Sequence, residues 1–230
     1  MAVDRRDEDT GRDKPSVLVP DLAVTRIPES PTAKAYRSVR ASIRHARTES
    51  PIRTVLIAEA GAGDQRGEAA ANIAASFALN GEPTVLVDAD SERPVQNGLL
   101  NTRLSPGLVE WLLAGSSIER PEPVETAVDN LSVLPAGSTT ALGTRSGADL
   151  LSADGCAELI DTLSGKYRFV LFHAPELPGS SEALTVAAQV DAVLLVVRSG
   201  VTKRTDAQRG REALERVGAN ILGAVLTDTR

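Results

Sequence analysis

"IAEAGAGDQRGE", residues 57 to 68, is the stretch on which the fold turns. An apolar run leads into it, Gly61, Gly63 and Gly67 punctuate it, and an alanine-rich helical pattern, "EAAANIAASFALNG", begins at its end. A strand that passes through glycines into a helix N-terminus has the form of a phosphate-binding loop. Glycine lets the backbone come close to an anion, and the helix end offers N–H groups and the positive end of a dipole. The side chains that complete such a loop, a lysine followed by a hydroxyl residue, are missing here.

Around this stretch the chain alternates. Six short runs, "RTVLIA", "PTVLVDAD", "LSVLPAG", "RFVLFHA", "DAVLLVVRS" and "NILGAVLTD", are apolar almost throughout, which predicts strands of a parallel sheet covered on both faces. The helical pattern after the loop puts Ala70, Ile73, Ala74 and Phe77 on one face and closes with Gly81 as a C-cap. "SADGCAELIDTLSG" and "TDAQRGREALERVG" repeat that plan, and a long insertion over residues 99 to 130 carries one short helix at "GLVEWLLAG". The predicted architecture is a three-layer α/β, P-loop NTPase-like domain with a mainly parallel sheet and right-handed crossovers. Upstream, "SVLVPDLAVTRIPESPTA" reads as an extended arm that ends in a Ser-Pro helix start. "AKAYRSVRASIRHAR" then reads as a helix with Val39, Ile43 and Ala46 as its apolar stripe. The first residues mix both charges with almost nothing apolar, which predicts a solvated, disordered tail and excludes a signal peptide. The expected division is a tail over 1 to 16, an arm and early helix over 17 to 50, and the α/β domain over 51 to 230.

Composition narrows the function. Hydrophobic residues make up 42% of the chain and aromatics only 3%, so the core must be aliphatic, as suits helices packed on a sheet. A net charge of -6 argues against nucleic acid as a partner, since such binding needs a basic face. Cys156 is the single cysteine, so no internal disulfide can form and a reducing compartment is the simple reading. No apolar run approaches the roughly 20 residues of a membrane helix. A cytoplasmic location is expected.

Beyond single motifs, "AYRSVRASIR", the strand and glycine loop, "TVLVDADSERP", "DNLSVLPAG", "YRFVLFHAPE", "VDAVLLVVRSGVTKR" and "ERVGANILGAVL" follow one another in a recognisable order. Over residues 30 to 227 this order resembles the cytosolic domain of bacterial tyrosine autokinases, members of the P-loop group that also holds the MinD and ParA ATPases. The resemblance implies a role in capsule or exopolysaccharide assembly. It also implies ATP and magnesium as ligands, a membrane-bound chain-length or co-polymerase protein as partner, and recruitment to the inner face of the cell membrane. A MinD- or ParA-like partitioning factor is the more distant reading, against which the early helix and "DADSERP" both speak.

Aligned on that family's loop, Ala60, Gly61 and Gly63 are kept, while Gln65 replaces the glycine before the lysine, Arg66 the lysine, Gly67 the hydroxyl residue and Glu68 the next threonine. Each change disfavours ATP. Gln65 adds a Cβ where backbone must approach phosphate, Arg66 trades a compact ammonium for a broad guanidinium, and Gly67 removes a metal ligand. Glu68 sets a negative charge where the helix end would attract an anion. Asp88 and Asp90 stand at the strand end where the family holds magnesium and activates its nucleophile, together with Arg93 and Pro94; read without the family they are polar residues at a strand terminus. His173 replaces the acid of the third motif, and Thr227 stands where many relatives carry an asparagine that reads adenine. The expected partner for Arg66, in the absence of nucleotide, is Asp88 or Asp90.

The substrate side is equally altered. The autokinases phosphorylate a C-terminal run of tyrosines, whereas the tyrosines here are Tyr36, on the early helix, and Tyr167, at a strand start, both better explained by packing. "KAYRSVR" resembles the family's ExxRxxR segment, through which subunits form a ring, with Arg37 and Arg40 kept and Lys34 in place of the glutamate. A homo-oligomer through Arg37 and Arg40 is one expectation, a solvated basic face the other. The reading that follows is a noncatalytic regulatory or scaffolding subunit of polysaccharide assembly, with no cofactor of its own. Its alternative is an ATP-binding tyrosine autokinase or ATPase in which Arg66, Asp88 and Asp90 suffice.

Overall fold

The structure, a computed structural model, describes residues 19–48, 50–61, 67–114, 119–145 and 147–228. The elements in chain order are α1 (Ala23–Arg26), α2 (Pro31–Arg44), β1 (Thr54–Ala60), α3 (Glu68–Ala78), β2 (Thr84–Asp88), α4 (Gln96–Leu99) and α5 (Leu108–Ala114). They continue with β3 (Val124–Glu125), β4 (Leu131–Leu134), α6 (Gly147–Leu150), α7 (Ala153–Ser164), β5 (Phe169–Leu177), α8 (Ser181–Ala187), β6 (Ala192–Arg198), α9 (Arg204–Arg216) and β7 (Ile221–Thr227). The sheet runs β3-β4-β2-β5-β1-β6-β7, with every neighbouring pair parallel except the short β3, which is antiparallel to β4.

All six expected strands are present, and for the central ones their apolarity has the expected cause, while β7, at the sheet edge, is only partly covered. Every residue of β1, β2 and β4 is buried, since helices cover both faces of the central sheet. One face packs against α1, α2 and α3, where Ile57, Leu86 and Leu171 meet Ile73 and Phe77. The other packs against α5, α7, α8 and α9, where Leu56, Val170 and Phe172 meet Trp111, Leu159 and Leu214. Phe77 stacks on Phe169 with ring centroids 4.2 Å apart.

The helix that follows the loop is buried on all sides rather than on the one face its pattern suggests: Ala69 through Ala78 are all buried. The reason is the segment upstream, which lies over its outer surface. Within that segment the expected extended arm contains the helical turn α1, whose Val24 N–H donates to Asn72 Oδ1 at 3.2 Å, while Asn72 Nδ2 donates to the Glu68 carbonyl at 2.9 Å. A helix enclosed in this way needs small residues on every face, which accounts for its alanines. Ser30 caps α2 by accepting from Ala33 N–H at 3.1 Å, with Pro31 at the first helical position. Ile43 is buried as the stripe predicts, Val39 and Ala46 are half-buried, and Tyr36 joins them in the core. Gly81 takes a left-handed φ of 82° in the turn after α3.

Between β1 and β2 the chain crosses over β5, and between β5 and β6 it crosses β1. The carboxyl ends of β1, β2 and β5 therefore meet where the strand order changes direction, which is the position of a ligand crevice in open α/β sheets.

Candidate functional site

The loop begins at the end of β1. Gly61 has a left-handed φ of 77°, donates its N–H to the Leu177 carbonyl at 2.8 Å and accepts from Arg198 Nη2 at 3.1 Å. The Ala60 carbonyl accepts from Thr202 Oγ1 at 3.0 Å. Gly63, Gln65 and Arg66 lie outside the described residues, and with them the expected pairing of Arg66.

Where the chain resumes, Gly67 caps α3 with a φ of 75°. Its N–H, one of the groups a phosphate would take on the family's pattern, donates to Glu59 Oε1 at 2.6 Å. Its carbonyl accepts from Gln96 Nε2 at 3.1 Å. A Cβ at this position would stand 2.6 Å from Val95 Cγ2 and closer still to Gln96 Nε2. The hydroxyl residue of an intact loop therefore has no room here unless α4 withdraws. Glu68 is exposed in the first turn of α3.

Glu59 is a residue of the candidate site that the sequence does not single out. It is 2% exposed at the end of β1, beside Arg198 of β6, whose Nη2 stands 3.5 Å from Glu59 Oε2. An acid near the end of a strand that after Thr54 is otherwise Val, Leu, Ile and Ala was the available signal: a buried charge amid apolar neighbours needs a partner.

Asp88 is fully buried at the end of β2. Its Oδ2 accepts from the N–H groups of Val95 and Gln96, each at 2.9 Å, and so caps α4. Its Oδ1 faces His173 Nδ1 at 3.1 Å and accepts from Asp90 N–H at 3.3 Å. A carboxylate has about four acceptor positions, and all four are taken by the chain itself. Asp90, also buried, accepts from Arg93 N–H at 2.8 Å. Burial, with the Asp88 charge adding to it, pushes the Asp90 carboxyl above the usual range. Arg93 turns away to pair with Glu176.

His173 sits two residues before the end of the apolar part of β5, where the parallel register sets it opposite Asp88. Burial alone would lower its pKa, but the Asp88 hydrogen bond and the charges of Asp88, Glu59 and Asp90 outweigh it and hold the imidazole above its ordinary value. Among the described residues no group of three or more His, Cys, Asp or Glu side chains is placed to hold a metal ion. Thr227 ends β7 at the edge of a cavity beside α1 and α2, away from Asp88.

Among the described residues, magnesium or a nucleotide phosphate would thus meet an internal carboxylate on the helix N-terminus, an aspartate saturated by amides and an imidazole, and a glycine packed under α4. The described residues do not fit a magnesium-bound triphosphate without rearrangement of Gln96 and Glu59.

Arg37 and Arg40 are likewise engaged. Arg37 Nη1 donates to the Pro28 carbonyl at 2.6 Å and its other terminal nitrogen faces Glu29 at 3.5 Å. Arg40 Nη1 donates to the Ser76 carbonyl at 2.7 Å, tying α2 to α3.

No family model matches the chain. Tyrosine-protein kinase YwqD of Bacillus subtilis (strain 168) is 30% identical over 206 residues, 89% of this chain and 84% of its own length. The succinoglycan biosynthesis transport protein ExoP of Rhizobium meliloti (strain 1021) is 28% identical over 90% of this chain, a match confined to 26% of ExoP. Among solved structures, that of the chimerical protein CapA2B2 superimposes with a TM-score of 0.82 at 28% identity, covering 91% of this chain and 89% of the other.

Proposed function

The chain belongs to the family of bacterial tyrosine-protein kinases, and we propose that within it this protein is a catalytically degenerate regulatory or scaffolding subunit of polysaccharide assembly. One observation carries the reading: the Gly67 N–H at the mouth of the loop is bonded to the buried Glu59 carboxylate. Phosphoryl transfer depends on positioned cations and N–H groups that stabilise negative charge. Here a fixed negative charge occupies one such group. Asp88, which the family's pattern assigns to magnesium, serves instead as a helix cap and the partner of His173. A partner at the membrane, of the co-polymerase kind, supplies the context in which such a subunit acts. The likeness to ExoP supports the polysaccharide setting.

A second reading, an ATP-binding tyrosine autokinase or ATPase of the same system, draws on the kinship itself, because YwqD carries the kinase name. It requires Gln96 and Glu59 to swing away and Arg66 to serve as the loop's cation. Titration with a fluorescent ATP analogue, with and without magnesium, separates the two. The degenerate reading expects binding at least about tenfold weaker than that of YwqD, a loss of about 1.4 kcal/mol, with no magnesium dependence. Low-micromolar, magnesium-dependent binding, accompanied by phosphotyrosine on the protein, establishes the kinase reading in its place.

A further inference from the structure

The two edges of the sheet differ. At one edge β3 is two residues long, follows Pro121 and Pro123, and carries Glu125, with Glu122 just ahead of it. Shortness, proline and charge are the features by which an edge strand avoids pairing with another chain. At the other edge β7 has none of them. It runs for seven residues, Ile221 to Thr227, and neither a charged residue nor a proline stands between Ala219 and Thr227. Gly223, Ala224 and Leu226 are exposed, and Leu226, at 72%, is the most exposed large apolar side chain among the described residues.

The direction of the peptide groups in β7 follows from its pairing. It lies parallel to β6, and past a register shift at its start Gly223 to Thr227 run opposite Leu194 to Arg198 without a break. Ser199 N–H donates to the Thr227 carbonyl at 2.8 Å, so Thr227 turns its peptide groups to β6 and, by alternation, Val225 and Gly223 do the same. Ala224 and Leu226 turn theirs outward, and β7 is the last strand of the sheet on that side. Donors and acceptors directed outward beside an exposed leucine, with no charge to repel a neighbour, form a template for another strand.

We propose that β7 pairs with β7 of a second copy of this chain, antiparallel across a two-fold axis at Val225. That centre sets Ala224 of each copy opposite Leu226 of the other, a pair that exchanges both N–H···O bonds and lays a small side chain beside a large one. Both strands are neutral, so no like charges meet, and an edge without charge offers no handle to a partner recognised by charge. A two-fold axis uses the same edge of both copies and leaves neither free. With β3 blunted on the far side, association stops at the dimer. The contact is small for a permanent interface, so the dimer is reversible and depends on concentration.

Sedimentation velocity of the full chain over a dilution series is expected to show a monomer–dimer equilibrium. Hydrogen exchange at the Ala224 and Leu226 amides should slow as concentration rises, which a dimer formed elsewhere on the surface would not cause. Leu226→Lys changes a side chain already in solvent, so the fold is retained, and the charge placed at the joint weakens the dimer at least about tenfold. Ala224→Pro removes an outward N–H and leaves the bonds to β6 alone, with the same expected loss; where it does not fold, Leu226→Lys decides. Arg37→Glu, on α2, leaves this dimer in place. The proposal is overturned if the chain is monomeric throughout, if folded Leu226→Lys dimerises as the parent does, or if Arg37→Glu dissolves the dimer and Leu226→Lys does not. Protection of the Ala224 and Leu226 amides that is independent of concentration also overturns it, in favour of an edge covered within one chain.

Discussion

Gly67 concentrates the residue-scale chemistry, because its backbone needs a left-handed φ, its N–H serves Glu59 and its missing Cβ leaves room for Gln96. Restoring the family's hydroxyl there should therefore harm the protein. Gly67→Ser is expected to lower stability by about 1–3 kcal/mol, read from the urea midpoint, and to leave ATP binding as weak as before. A variant as stable as the parent that gains nucleotide affinity would show that α4 yields easily. His173 sets the second residue-scale expectation. Its pKa in the fold lies above the unfolded value of about 6.5, so the pair with Asp88 stabilises most below that pH and is lost as pH rises through the folded value. Asp90, also raised, acts with the same sign in the carboxylate range, because charging it in its buried position costs stability. Urea unfolding at pH 6 and 8.5 should show the parent losing stability upward and His173→Asn losing much less of it; equal slopes would remove His173 as the cause. The loop's differences from the family's sequence pattern are legible in Gln65, Arg66, Gly67 and Glu68. The partners of Glu59 are not, because the Gly67 N–H meets it only when the loop closes back on the strand and Arg198 reaches it only through the register of β1 and β6.

At the scale of elements, the strands β1, β2, β4 and β6 were legible because each is almost wholly apolar and buried on both faces; β7 carries the same apolar pattern but lies at the sheet edge, half exposed. The two-residue β3 and the turn α1 were not legible, since both are too short to carry a period and are held by tertiary contacts: β3 by Val124 and Glu125 pairing with Val133 and Ser132, α1 by Asn72. The total enclosure of α3 was hidden for the same reason, as its outer cover comes from a segment that reads as an arm. The early helix α2 carries the proposal of a self-association surface through Arg37 and Arg40, and the two arginines can be told apart. Arg40 fastens α2 to the Ser76 carbonyl, so Arg40→Glu should cost stability, by about 1–3 kcal/mol, in a monomer or an oligomer alike. Among the described residues Arg37 makes surface contacts with Pro28 and Glu29, which contribute little. Arg37→Glu should then lower the mass seen by light scattering, with the urea midpoint held, if α2 is an interface. An unchanged, monomeric mass for the parent would leave α2 as a face turned to solvent.

For the whole molecule the question is how the noncatalytic subunit proposed above would reach a membrane process. Among the described residues no helix is long and apolar enough to cross a membrane, and the net charge of -6 opposes attraction to an acidic lipid surface. Direct lipid binding is thus the weaker route, and contact with a membrane-bound co-polymerase is the one the proposed role requires. An ATP-driven switch would make such contact depend on nucleotide. With the Gly67 N–H and the Asp88 carboxylate engaged by bonds internal to the chain, the proposed role expects the contact to form without ATP. Membranes from cells that make the polysaccharide should therefore retain the protein in an ATP-depleted, magnesium-free wash, and membranes from cells that lack the co-polymerase should release it to the supernatant. Retention that needs MgATP would transfer the role to a working nucleotide switch, while a protein that stays in the supernatant beside a normal level of co-polymerase would remove recruitment from the account altogether.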